Sequence, residues 1–246
     1  LVNGEIDRAE FLVAATGVLH RVSKPAIKGL EEFSGSCFHS AEWDHDVELN
    51  GKRIGIIGSG STALQMVSPL SEQVESLTLF QRTAQWVISV PDKTYSPRWK
   101  RLVKKYPFLA TLLYRGYKFM IEQTLGKAVI QPGWRRSILN AMCERNLKKV
   151  KDRKLRHQLT PTYEPGCKRM VVSESFYPAI QKPNCHLETE KIERIEADGV
   201  RTVDGVLHPL DVLVLCTGFD GFAFMRPMSM EGRGGLTLEE AWKKGP

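Results

Sequence analysis

Arg53-Ile-Gly-Ile-Ile-Gly-Ser-Gly-Ser-Thr-Ala-Leu-Gln65 is the stretch that decides the fold. It reads as an apolar strand that stops at Gly58 and turns directly into a helix. The glycines of Gly58-Ser59-Gly60 permit a tight turn and let backbone approach a ligand closely, and Ala63 keeps the new helix near the strand. A helix opening there presents unpaired N–H groups and a partial positive charge, which suits a pyrophosphate. Gly58, Gly60 and Ala63 match the spacing G-x-G-x-x-G/A in a strand-turn-helix context. Ser59, Ser61, Thr62 and Gln65 complete the set of candidate cofactor-binding residues on this turn. Glycine-rich turns also arise for purely structural reasons, and the motif alone does not separate the two readings.

The next apolar strand is Ser76-Leu-Thr-Leu-Phe80, followed by Gln81-Arg82-Thr83. About twenty residues past the glycines, dinucleotide folds place an acid for a ribose 2′-hydroxyl, or an Arg where a 2′-phosphate must fit. No carboxylate stands at this strand end. Arg82 offers a bidentate fork for a phosphate and Thr83 a further donor, which predicts NADP(H) over NAD(H). The plainer reading makes Arg82 a solvated residue at a strand end.

With 246 residues the chain has room for one large or two small domains. The five cysteines, Cys37, Cys143, Cys167, Cys185 and Cys216, are scattered and form no CxxC pair. That pattern argues for a reducing, cytoplasmic compartment and against a disulfide framework or a metal site. The net charge of +7 is uneven: residues 92–156 hold eighteen Lys/Arg against four acids. No nucleic-acid-binding motif accompanies them, and the basic residues alternate with apolar ones at helical spacing. A helical subdomain with a solvated basic face is the favoured reading, its apolar positions forming core. A peripheral membrane contact through Trp99, Phe108, Tyr114, Tyr117 and Phe119 is the lesser one.

Helices are predicted over 97–106, 108–125 and 133–150, punctuated by Pro107, Pro132-Gly133 and Pro161. Near the start, Glu10-Phe-Leu-Val-Ala-Ala-Thr-Gly17 reads as a buried strand ending in a small polar turn. Asp211-Val-Leu-Val-Leu-Cys-Thr-Gly-Phe219 repeats the pattern near the other end. Between 184 and 209, Asp198-Gly199 and Asp204-Gly205 mark hairpin turns of a small antiparallel meander. Such a pair of Thr-Gly strands around the glycine turn reads as a chain that leaves one domain and later returns to it.

One further stretch stands out. Phe33-x-Gly35-x-x-x-His39-x-x-x-Trp43-Asp44 resembles the signature of the type I Baeyer-Villiger monooxygenases, relatives of the flavin-containing monooxygenases. Ala15-Thr16-Gly17 and Cys216-Thr217-Gly218 resemble that family's two crossings between its FAD and NADPH domains, and Gly166-Cys-Lys168-Arg169 resembles a later motif. The resemblance covers nearly the whole chain. It implies an α/β, Rossmann-like, two-dinucleotide flavoprotein whose NADP domain carries an inserted helical subdomain. It divides the chain into residues 1–33 (end of an FAD domain and linker), 34–215 (NADP domain, with helical insertion at about 91–160) and 216–246 (return to the FAD domain). It also implies FAD and NADP(H) as cofactors, with O2 and a ketone or other soft nucleophile as substrates.

By the same resemblance Lys168 helps hold the NADPH 2′-phosphate, and Thr16, Gly17, Thr217 and Gly218 line the cofactor crossings. Arg169 reaches flavin and nicotinamide and stabilises a deprotonated peroxyflavin and its adduct. His39 sits at the domain linker with a positional role. On residues alone, Lys168 and Arg169 read equally as plain surface charge, and a lone His near a Trp as a packed residue. The family's FAD fingerprint and C-terminal closing segment have no counterpart here, so the chain is expected to be the middle of a larger protein that holds FAD poorly when alone. Three rivals stand beside ketone oxygenation: N- or S-oxygenation, a flavin disulfide reductase (disfavoured without CxxC), and a non-catalytic NADPH-binding fragment.

Overall fold

A computed structural model describes residues 4–11, 13–90, 94–223 and 226–243. The expectations that touch Leu12, Pro91 and Asp92 therefore lie outside the described residues. In chain order the elements are β1 (Ser36–His39), β2 (Arg53–Ile57), α1 (Ser61–Leu70), β3 (Ser76–Phe80) and β4 (Val87–Ile88). Then come α2 (Pro97–Lys105), α3 (Pro107–Ile121), a π-turn at Glu122–Gly126, α4 (Lys127–Ile130), α5 (Trp134–Leu147) and α6 (Arg153–Gln158). The last part holds β5 (Val171–Val172), α7 (Phe176–Ala179), β6 (Cys185–Glu188), β7 (Ile192–Glu196), β8 (Gly199–Thr202), β9 (Leu207–Pro209), β10 (Val212–Leu215) and α8 (Leu238–Ala241).

The glycine-turn stretch does become strand, turn and helix, with β2 ending at Ile57 and α1 beginning at Ser61. A five-stranded, all-parallel sheet runs β1-β10-β2-β3-β6, so the predicted α/β class holds. The central strands β2 and β10 read as near-continuous apolar runs because both of their faces are covered. Val212 and Val214 join Ile54, Ile56 and the buried Ala63, Leu64, Val67 and Leu70 of α1 in one core. Their alternates Leu213 and Leu215 join Ile57, Phe80, Ile195 and Val200 in a second. That alternation is the period-two geometry of a strand.

The signature stretch supplies the edge strand β1, an element that its sequence does not announce. Phe33 packs against the second core, Gly35 opens β1, and a Cβ on Gly35 would lie 2.3 Å from Asp211 O. At that separation only glycine fits. β1 pairs with β10 as far as His39, and Trp43 meets Phe38 edge-on at 4.9 Å between ring centroids.

The antiparallel meander is present as β7-β8-β9, with turns at the two Asp-Gly pairs. The predicted helices at 97–106, 108–125 and 133–150 correspond to α2, to α3 with its π-turn, and to α5.

Two expectations fail. The run at 10–17 forms no strand among its described residues, and Phe11 and Val13 are exposed. A strand is stabilised by ladder partners and a covering face, and none of the described residues supplies either to this run. The apolar positions of α2 and α3 are likewise not core. Neither helix has a buried residue, and Phe108, Leu112, Leu113, Tyr114, Tyr117 and Phe119 are exposed. None of the described helices is long and apolar enough to cross a membrane.

The chain forms two compact units, Leu1–Pro25 with Thr217–Pro246, and Ala26–Cys216. In the smaller unit Val22 bridges Phe219 antiparallel, Ser23 N donates to Gly218 O, and Arg226 pairs with Glu239. The larger unit carries the sheet, the meander and the helices α1 to α7.

Candidate functional site

In a parallel sheet every strand points its carboxyl end the same way, and ligands of open α/β folds bind at that edge. Ile57 lies in register with Phe80 on one side and Leu215 on the other, so Gly58, Arg82 and Cys216 all emerge along one rim. Gly58 has φ +123°, and a Cβ there would meet Cys216 O at 2.3 Å. The turn is therefore closed by close packing on the chain leaving β10, which any side chain would break. Gly60 differs. Its φ is −77°, and nothing lies within 4 Å of a Cβ built on it, so the space before it is open.

Gly60 is the N-cap of α1, and no side chain caps that end. No acid occupies its first turn, and Gly60, Ser61 and Thr62 are exposed. The free N–H groups and the helix dipole thus face outward beside open space, which is the chemistry of an anion cradle. Ser59 Oγ donates to Thr83 O at 2.7 Å and ties the glycine turn to the loop after β3. Gln65 Nε2 donates to Val172 O at 3.1 Å, so this side chain anchors β5 to α1.

Arg82 is exposed and makes no ion pair among the described residues. Glu188, the acid in register with Phe80 at the end of β6, is engaged elsewhere: Oε1 accepts from Glu190 N at 2.7 Å, and Oε2 lies 3.3 Å from His208 Nε2. Lys168 is exposed too, with its ammonium 4.6 Å from the centre of the Tyr163 ring. Arg169 follows it, exposed, just before β5.

Tyr163 was not among the residues singled out by sequence. Its hydroxyl donates toward Gln85 Oε1 at 2.8 Å, with Ala84 O at 3.2 Å, and its carbonyl accepts from Trp86 Nε1 at 2.6 Å. Burial raises the Tyr163 hydroxyl above its ordinary pKa, so it remains a donor near neutrality. No motif marks this residue, because its contacts span about eighty positions in sequence.

His39 closes β1, with its ring buried and Nδ1 accepting from Ala41 N at 3.1 Å. It belongs to the sheet of the larger unit, paired with Leu215 of β10. Cys216 is held in its thiol form, burial pushing its pKa up to about 11. The crossing residues fall in the smaller unit. Thr16 and Gly17 are exposed, while Thr217 Oγ1 donates to Ser23 O at 2.5 Å. Gly218 takes φ +81°.

The family model of flavin-binding monooxygenase-like proteins matches residues 7–231. The chain belongs to that family. It is 46% identical over 244 residues to an uncharacterized monooxygenase of Mycobacterium tuberculosis, covering 99% of this chain and 49% of that protein. It is 33% identical over 238 residues to a Baeyer-Villiger monooxygenase of Pseudomonas aeruginosa, covering 97% of this chain and 45% of the relative.

Among solved structures, cyclohexanone monooxygenase from Rhodococcus sp. Phi1 bound to NADP+ superposes with a TM-score of 0.80 at 27% identity, covering 99% of this chain and 53% of that one. OTEMO, crystallised with FAD and NADP, gives a TM-score of 0.79 at 25% identity and covers 99% and 54%. The chain spans about half the length of the curated relatives it matches.

Proposed function

We propose that this chain is the nucleotide-binding part of an NADPH- and FAD-dependent monooxygenase of Baeyer-Villiger type, which inserts one atom of O2 beside a ketone carbonyl to give an ester or lactone. The observation that carries the reading is the rim of the parallel sheet. An uncapped, acid-free α1 N-terminus opens there beside Arg82, a cation with no carboxylate partner among the described residues. The chemistry of this donor set fits NADPH. Ser59, Gly60, Ser61 and Thr62 would hold the pyrophosphate, and Arg82, Thr83 and Lys168 the 2′-phosphate. FAD, when bound, supplies the oxygen-transferring chemistry.

The chain's own residues bind and orient. The helix dipole and Arg82 hold two separated phosphates, which fixes the position of the dinucleotide along the rim. Arg169, a permanent cation in this reading, favours negative charge where it develops on the reacting groups. His39 orders the end of β1 and the backbone that follows it, a positional role. Thr16, Gly17, Thr217 and Gly218 belong to the smaller unit, which we assign to the FAD domain.

Relatives that are Baeyer-Villiger monooxygenases support ketone oxygenation, while a phenazine N-monooxygenase of Lysobacter antibioticus at 29% identity keeps N-oxygenation as the rival. The test uses the full-length protein with NADPH and 18O2. Esters carrying one 18O from a panel of ketones are the expected products. Oxidation of amines or sulfides with every ketone left intact would overturn the assignment. For the cofactor, Arg82→Ala should lower the NADPH-over-NADH affinity ratio about tenfold to hundredfold, the range of one charge-assisted bond. An unchanged ratio would remove Arg82 from the site.

A further inference from the structure

The two cations of the proposed 2′-phosphate site come from distant parts of the chain. Arg82 follows β3, and Lys168 lies in the loop before β5. Long, exposed side chains of this kind lose rotamer freedom when they bind, so a pre-ordered partner is worth more than a floppy one. Arg82 gains order from its backbone, because the adjoining Thr83 carbonyl accepts from Ser59 Oγ at 2.7 Å and faces Gln85 Nε2 at 3.4 Å. What orders Lys168 is the face of Tyr163.

A cation over an aromatic face is attracted by the ring's quadrupole, and the attraction also restricts where the ammonium can go. The Tyr163 ring is itself fixed from two sides. Its hydroxyl is tied to Ala84 and Gln85, two and three residues from Arg82, and its backbone carbonyl is held by the buried Trp86 indole. Contacts thus run without a break from the glycine turn through Ser59, Thr83, Gln85 and Tyr163 to Lys168. No carboxylate pairs with Lys168 among the described residues, so its charge stays available.

We propose that Tyr163 is a positioning residue that sets the cofactor's 2′-phosphate preference, holding Lys168 at a fixed place relative to the loop that carries Arg82 and Thr83. The role rests on the NADPH assignment made above and deepens it: Tyr163 touches no phosphate and acts through Lys168. The ring face matters most, and the hydroxyl only locks the ring.

The experiment measures direct binding of NADPH and NADH, by calorimetry on the full-length protein, for wild type, Lys168→Ala, Tyr163→Leu, Tyr163→Phe and the double variant Tyr163→Leu/Lys168→Ala. Tyr163→Leu should weaken NADPH about threefold to tenfold, the equivalent of a cation–π contact, and leave NADH within about twofold. Tyr163→Phe keeps the face and should retain most of the preference. The double variant should bind NADPH no more weakly than Lys168→Ala alone, as expected of two residues acting as one unit.

Equal weakening of both cofactors by Tyr163→Leu would mean a merely structural role and overturn the proposal. So would an unchanged ratio in Tyr163→Leu alongside a reduced one in Lys168→Ala. An unchanged ratio in Lys168→Ala would instead sink the underlying assignment of Lys168. Should the leucine variant fail to fold, Tyr163→Met, which fills the same core contact without an aromatic face, carries the same expectations.

Discussion

Two stretches of this chain look alike in sequence and end in opposite states. Residues 10–17 and 211–219 are each an apolar run closed by Thr-Gly. The second becomes β10, whose four residues are all buried between β1 and β2. In the first, Phe11 is 84% exposed and Val13 is 85% exposed, and no strand forms among the described residues. The difference teaches that an apolar run is only a candidate strand. It becomes one when neighbours on both sides complete its hydrogen bonds and both faces find cover, because unpaired backbone and uncovered side chains gain nothing from ordering.

Mutations separate the two stretches. Leu213→Ala in β10 should cost about 3 kcal/mol, the usual scale for emptying a well-packed core position, read as a lower urea midpoint. Gly58→Ala should come next, at about 2 kcal/mol, since φ +123° and the 2.3 Å approach to Cys216 O both oppose a Cβ. Gly60→Ala is its control: stability should stay nearly unchanged while NADPH binding weakens. If both glycine variants were equally stable, β10 would not be closing the turn as described.

A smaller effect belongs to the start of β10. Asp211 accepts from Arg53 Nη2 at 2.7 Å, from Nε at 3.1 Å and from the Arg53 backbone at 2.8 Å. The guanidinium bond, foremost, holds the Asp211 carboxyl down at about 2. Its folded value lies below the unfolded one of about 3.9. The stabilisation is therefore complete above about pH 4 and is lost as pH falls toward 2. Both side chains remain partly solvated, so Asp211→Asn should cost only about 1 kcal/mol near neutrality. The variant should also flatten the acid limb of the stability profile between pH 4 and 2; an unaltered limb would assign that slope to other carboxylates.

The smallest effect belongs to the other stretch, where Val13→Ala should change the stability of this chain by no more than about 0.5 kcal/mol. Hydrogen exchange sharpens the contrast further. Amides of 212–215 should exchange on the slow, global scale and those of 13–17 almost at once. Protection in the first run would show that it finds ladder partners after all.

Much of the candidate site's local frame was legible in the sequence. Gly58, Gly60, Ala63 and the apolar strand before them carry their own geometry, because a tight turn into a helix admits few residue types. The Asp-Gly pairs fixed the meander for the same local reason. Arg82 could be found from its distance past the glycines. β1 escaped notice because four residues, Ser36-Cys-Phe-His39, are too short to show a period. α3 was misread because an amphipathic pattern records that a face is apolar, never what covers it.

Local units follow from the order of residues alone: the strand-turn-helix, the hairpins, the helices and the family motifs are all set by interactions within a few residues of chain. Tertiary structure decided the rest. It chose which Thr-Gly run enters the sheet, made glycine obligatory at 58 but not at 60, and brought Tyr163 under Lys168 while bonding it to Gln85. Those outcomes depend on atoms from segments far apart in sequence competing for the same space and the same partners, and that competition is resolved only when the whole chain has packed.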